Sequence, residues 1–149
     1  MPHITLQITQ KGALLNAVIG ISVARKEALD QASQPIPPPT QIQAIVDTGS
    51  NATAVDPSVL EKLNLTPTGS TTIITPSTGN QPVPVDQYDI SILIPAARSD
   101  QLPLFLPTLP AICVKLLDSQ GFHALIGRDI LAQCIFSYNG SIGLFTLAY

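Results

Sequence analysis

Charge is scarce in this chain. Only 11% of its 149 residues are Asp, Glu, Lys or Arg, against 45% hydrophobic, and the net charge is −3. Seven basic residues give no electrostatic footprint for nucleic acid, so no nucleic-acid partner is expected. So little charge also excludes a disordered chain. It points to a compact domain with an unusually apolar surface, or one that buries surface against a partner. Long apolar runs are missing too. The longest, Ala13 to Ala24, is interrupted by Asn16 and is too short for a helix to span a bilayer, so no membrane partner is expected. Cysteine is limited to Cys113 and Cys134, which form no metal-ligand pattern. Both read as core residues. The opening Met1-Pro2-His3-Ile4 has no signal-like character, which predicts a cytoplasmic protein with free thiols. A single disulfide is the alternative. Histidine occurs only at His3 and His123, both isolated from any nucleophile or ligand set.

Chain breakers, by contrast, are plentiful. Fourteen prolines and nine glycines leave no room for long helices and favour short strands joined by turns. His3 to Gln10 alternates and reads as a strand. Lys11-Gly12 is a turn signal and Ala13 to Val23 a second strand, which predicts a hairpin. Ala24 to Gln34 is polar and reads as a surface loop. It leads into a stiff extended connector, Gln34 to Thr40. Ile42 to Val46 is an apolar run rich in β-branched residues, the mark of a buried strand. Asp56-Pro57 starts a short helix to Leu63, with a capping residue and then proline at the first helical position.

Thr71 to Thr75 and Gln81 to Val85 flank a turn at residues 76–80, a hairpin suited to a projecting arm. Tyr88 to Ile94 is a strand. Leu102 to Leu109, broken by Pro103 and Pro107, reads as irregular or edge-like. Ala111 to Leu117 and Phe122 to Ile126 are strands on either side of a turn at Asp118 to Gly121. Asp129 to Gln133 is a short helix with Asp129 near its start. Cys134 to Tyr138 and Ile142 to Leu147 form a last hairpin around Asn139-Gly140. The sum is one all-β domain over residues 1–149 with one or two short helices.

Two stretches carry chemistry. The first is Ala44-Ile45-Val46-Asp47-Thr48-Gly49-Ser50, where a strand breaks at a carboxylate. A carboxylate buried there is costly unless a partner bonds it or shares its charge. The second is Leu125-Ile126-Gly127-Arg128-Asp129. A bare Asp-Thr-Gly arises by chance in roughly a few per cent of such chains, so the weight rests on the combination. In this order, with the hairpin of residues 71–85 between them, the two stretches resemble the retroviral-like (retropepsin-type) aspartic proteases.

That resemblance covers roughly residues 41–147. It implies a single-lobe, closed β fold with a flap hairpin near 71–85, and an endopeptidase that uses no metal or other cofactor. It makes Asp47 the catalytic carboxylate, supported by Thr48 and Gly49. Thr48 would brace the pair of loops across a dimer axis. Ser77, Thr78, Gly79 and Asn80 become the flap tip over an extended peptide substrate. Ser50, Gly127 and Arg128 become structural residues beside the site. Relatives often carry an aspartate to receive the arginine where this chain has Asn51, so the partner of Arg128 stays open.

Two-lobed relatives have two Asp-Thr/Ser-Gly loops in one chain. Here there is one. Hydrolysis by this chemistry needs two carboxylates, so the second must come from Asp47 of another copy in a homodimer. The alternative is a non-catalytic dimerisation or peptide-binding module on the same fold. An unrelated β-sandwich with a chance motif is a third reading.

Overall fold

The structure, a computed structural model, describes residues 1–76, 78–116 and 118–149, with only the backbone of Asp118. Leu117, at the end of one expected strand, lies outside the described residues. In chain order the elements are β1 (His3–Gln7), β2 (Leu14–Ile21), α1 (Val23–Gln31), β3 (Thr40–Val46), β4 (Ala54–Val55) and α2 (Pro57–Lys62). Then come β5 (Gly69–Ile73), β6 (Val83–Ile94), β7 (Leu104–Cys113), a 3-10 turn (Asp118–Gln120), β8 (Ala124–Ile126), α3 (Arg128–Leu131), β9 (Ile135–Asn139) and β10 (Leu144–Ala148).

Six strands close on themselves. The order β2-β3-β8-β4-β7-β6 returns from β6 to β2, and β5 extends outward from β6. A separate three-stranded sheet runs β1-β10-β9. The expected closed β fold is therefore borne out. Inward-facing Leu15, Ala17, Ile19, Ile42, Ala44, Ile90, Ile92 and Ile126 fill the barrel, and Phe145 and Leu147 join the same core from the smaller sheet. This alternation along each strand follows from the two-residue period of β structure. Among the described residues no helix is long and apolar enough to cross a membrane.

Four local expectations need correction. The Lys11-Gly12 turn forms, with Thr9 and Gly12 exchanging backbone hydrogen bonds of 3.0 Å. The strands on either side of it do not pair as a hairpin. β1 pairs with β10, whereas β2 has one edge on β3 and the other on β6. The loop expected over residues 24–34 is largely the helix α1. Ser22 caps it by accepting from the Arg25 N–H at 3.3 Å, and Ala24, Arg25, Lys26, Glu27 and Ala28 are good helix formers. None of its residues is buried, so no apolar stripe announces it.

Residues 104–113, read as irregular and then strand, form one strand. Pro107 falls where the β6–β7 register shifts by a residue, and the outer edge of β7 stays unpaired until Ile112 meets β4. Such an edge has room for residues without an N–H. The final hairpin turns through four residues rather than two, since Asn139 opposes Leu144. The Asn139 side chain holds that turn by accepting from the Ser141 hydroxyl at 2.7 Å.

Candidate active site

The two chemical stretches meet because β3 and β8 run parallel and end together. Ala44 lies opposite Ala124, Ile45 opposite Leu125 and Val46 opposite Ile126. Asp47 and Gly127 leave the sheet side by side, and the Asp47 N–H donates to the Ile126 carbonyl at 3.0 Å. A parallel pair requires a long crossover, which is how residues 80 positions apart come to share one end of a barrel.

Asp47 is half-buried rather than fully buried in the single chain. One of its oxygens, Oδ1, accepts the Gly49 N–H at 2.9 Å. The Ser50 N–H closes the turn onto the Asp47 carbonyl at 3.3 Å. Gly49 keeps the loop tight for a steric reason. A methyl group there would sit 3.1 Å from Asp47 Oδ1. Thr48 is exposed, and its hydroxyl has no partner among the described residues. The Ser50 hydroxyl donates to the Ala52 carbonyl at 2.6 Å, which keeps the loop folded onto itself.

Gly127 allows the closest approach in the site. A Cβ at that position would come within 2.5 Å of the Ala52 carbonyl carbon and oxygen, and 2.9 Å of the Thr53 nitrogen. The next residue's backbone N–H, on Arg128, donates to the Ser50 carbonyl at 2.9 Å. The Arg128 side chain is different. It is exposed and makes no ion pair or hydrogen bond among the described residues. Its partner, left open by the sequence, is not supplied by any described residue of the single chain.

Sequence reasoning passed over the residue that does hold the loop. Asp129 accepts from the Thr53 N–H at 2.8 Å, the Thr53 hydroxyl at 2.8 Å and the Ile130 N–H at 2.9 Å. Thr53 is fully buried, and its hydroxyl oxygen accepts in turn from the Gly127 N–H at 3.1 Å. One carboxylate thus ties the chain six residues after Asp47 to the first turn of α3. The sequence signal was an acidic residue in a helix whose N-cap, Gly127, has no side chain to cap with.

Above the loop stands the hairpin of β5 and the start of β6. Thr71 lies opposite Val85, Thr72 opposite Pro84 and Ile73 opposite Val83. Pro84 is accommodated because β6 pairs with β7 only from Gln87 onward. At the tip, the Thr78 hydroxyl accepts from the Thr75 N–H at 2.8 Å. Gly79 has φ +63°, and a Cβ there would meet nothing within 4 Å. Ser77, expected at this tip, lies outside the described residues.

A cleft of about 780 Å³ separates hairpin from loop. Its floor is Asp47 with Gly49 to Ala52, its roof Thr71 to Pro76, and Ile112, Val114 and Leu125 line its sides. Among the described residues of that lining, Asp47 is the only ionisable group. Thr78, Gly79 and Asn80 do not reach the cleft in the single chain. The arm below them does.

Nearby, Asp56 is almost fully buried. Burial pushes its pKa up. The N–H groups of Ser58 and Leu116, at 2.9 and 2.8 Å, together with the nearby His123 charge, outweigh this and hold it below the usual value. Asp56 thereby caps α2 and secures the chain that follows β7. Cys113 and Cys134 are free and half-buried, and burial pushes both thiols up. Among the described residues no group of three His, Cys, Asp or Glu side chains is arranged to hold a metal ion.

Among solved structures, the chain is similar to the crystal structure of a retropepsin-like aspartic protease from Rickettsia conorii. The match has 18% identity and a TM-score of 0.61, over 99% of this chain and 90% of the other. The fold is thus retropepsin-like. No curated protein matches the chain. A family model described as aspartyl protease matches residues 39–130, more than half of the sequence, and takes in both chemical stretches. The chain belongs to the aspartyl protease family, and is a protease by that membership.

Proposed function

We propose that residues 1–149 form one endopeptidase domain in which Asp47 supplies half of a catalytic pair, the other half being Asp47 of a second copy. The observation that carries this reading is the position of Asp47. Among the described residues it is the lone ionisable group on the cleft, its carboxylate held by a single N–H and open to solvent beside an exposed Thr48. A single carboxylate in that setting can bind a water but cannot also protonate a substrate.

Two such carboxylates within hydrogen-bond reach share one proton, because like charges so close resist joint ionisation. The ionised member takes a proton from a water held between them, and the water attacks the scissile carbonyl. The protonated member donates to the developing oxyanion, and the proton passes to the leaving amine. The Gly49 N–H fixes one carboxylate oxygen, which leaves the other for the shared proton. Thr48 of each copy braces the opposite loop across the axis. An extended peptide lies in the cleft, with Thr71 to Pro76 above it, and Thr78, Gly79 and Asn80 close over it as the flap tip.

The test is cleavage of an unstructured polypeptide at mildly acidic pH by wild type and by Asp47→Asn. Wild type is expected to cut and Asp47→Asn to be inactive, with an unchanged circular dichroism spectrum. Cleavage that survives the substitution overturns the assignment. Specific peptide binding without cleavage by wild type moves the protein to the peptide-binding reading.

A further inference from the structure

The connector between α1 and β3 takes no part in the cleft, and its form is fixed by its sequence. It reads Gln34-Pro35-Ile36-Pro37-Pro38-Pro39, and Thr40 follows. Every residue from Gln34 to Pro39 is a proline or precedes one. Proline fixes φ near about −65° and drives the residue before it out of the helical region. The segment is therefore held in the polyproline II form, with about three residues per turn. Burial follows that period. Pro37 and Thr40 are half-buried, whereas Pro35, Ile36, Pro38 and Pro39 are exposed. Two ridges face solvent, Pro35 with Pro38 and Ile36 with Pro39.

Both ends are anchored. At the first, Ser33 has φ +52°, and the Ser33 and Gln34 N–H groups donate to the Asp30 and Leu29 carbonyls at 3.0 and 2.8 Å, which closes α1. At the second, Thr40 enters β3 opposite Ile19, and Pro39 packs over Gly20, where an added Cβ would lie 3.5 Å from Pro39 Cβ. A strut held at both ends has little freedom left to lose on binding. The carbonyls of residues 35–38 accept no hydrogen bond among the described residues, and residues 31–41 carry no charged side chain.

We propose that this strut is a docking element for a polyproline-reading domain. The aromatic-lined groove of such a domain takes the Pro35/Pro38 and Ile36/Pro39 ridges in adjacent slots, and its hydroxyl or indole N–H groups donate to the free carbonyls. With no charge beside the ridges, recognition is apolar and insensitive to salt. The strut feeds β3 at the end opposite Asp47, and the seven residues of that strand, about 20 Å, lie between them. A partner docked there leaves the cleft open. The strut tethers the protein to its partner and does not present a substrate, so this inference is independent of the shared-carboxylate reading.

The experiment is NMR titration of the isotope-labelled protein with an isolated SH3, WW and EVH1 domain in turn. At least one is expected to bind with Kd below about 1 mM, moving the amide signals of Gln34, Ile36, Thr40 and Gln41 first. Pro35→Ala/Pro38→Ala and, separately, Ile36→Lys are each expected to weaken that binding at least about tenfold. Pro37→Ala, on the ridge that faces the barrel, should weaken it less than about threefold. Raising salt from about 0.05 to about 0.5 M should leave Kd within about twofold. Cleavage of an unstructured polypeptide by Pro35→Ala/Pro38→Ala should match wild type.

Failure of all three domains to bind up to about 1 mM overturns the proposal. Binding that survives both ridge variants, or that is lost at high salt, places the contact elsewhere and overturns it equally. Loss of cleavage in Pro35→Ala/Pro38→Ala with an unchanged amide spectrum would make the strut part of the active site and not a separate docking element.

Discussion

Removing the Asp129 carboxylate should unlatch the candidate active loop. Asp129→Ala takes the shared acceptor from three donors, the Thr53 N–H, the Thr53 hydroxyl and the Ile130 N–H, of which the last keeps the Gly127 carbonyl. Thr53 is fully buried, so water cannot replace the lost partner without local opening. A buried donor left unsatisfied costs about 1–3 kcal/mol. The Thr53 hydroxyl can turn to another acceptor, and the Ile130 N–H lies near the Gly127 carbonyl at 3.2 Å, so the three losses do not add in full.

A total of about 3 kcal/mol is expected, a large share of a stability of about 5–15 kcal/mol. With a urea dependence of about 1.5 kcal/mol per molar, the unfolding midpoint should fall by about 2 M. Thr53→Val keeps its N–H bond to Asp129 but loses the hydroxyl, and should cost about 1–2 kcal/mol. The double variant should fall short of the sum, because both changes remove the same contact. A midpoint shift below about 0.5 M for Asp129→Ala, or strict additivity, would refute the reasoning.

Two further outcomes follow from the same geometry. Asp56→Ala removes the α2 cap and the acceptor for the Leu116 N–H, and should cost about 2–3 kcal/mol at neutral pH, read by urea unfolding. Because the folded pKa of Asp56 is lowered, its charge-linked stability is present above the unfolded value near about 3.9 and is lost as pH falls through the folded value. The gap between wild type and Asp56→Ala should therefore narrow in acid, and a gap that widens contradicts the sign. Gly79→Val forces a β-branched residue into φ +63° at a tip where its side chain meets nothing. It should cost about 1–2 kcal/mol locally, with little change in Tm, and lower kcat/KM against a peptide substrate. Unchanged kinetics would remove Gly79 from the flap.

Much of the fold was legible where the cause is local. The apolar run into Asp47, the Asp56-Pro57 cap, and the strands ending at Ile94 and Ile126 all stand where the sequence puts them. Each depends on neighbours a few residues away. Errors arose where pairing was decided at a distance. The Lys11-Gly12 turn is real, but β2 is claimed on both edges by β3 and β6, so β1 goes elsewhere. Pro107 suggested a break, yet an edge strand with a register shift absorbs it. α1 shows no apolar stripe because it packs so little.

The candidate site divides in the same way. By itself the sequence determined that there is one Asp-Thr-Gly, one Gly-Arg-Asp stretch and one glycine in the turn between residues 75 and 81. Those are matters of count and order, which folding does not alter. Tertiary structure decided that the parallel β3–β8 pair puts Asp47 beside Gly127, and that only a glycine clears the Ala52 backbone by that approach. It decided that Asp129, not Arg128, grips the loop, since the grip depends on a buried threonine 76 residues earlier in the chain. It also left Asp47 half-exposed and, among the described residues, β9 paired on one edge alone. A carboxylate's burial and a strand's free edge belong to the arrangement of the whole chain, and no run of neighbouring residues encodes them.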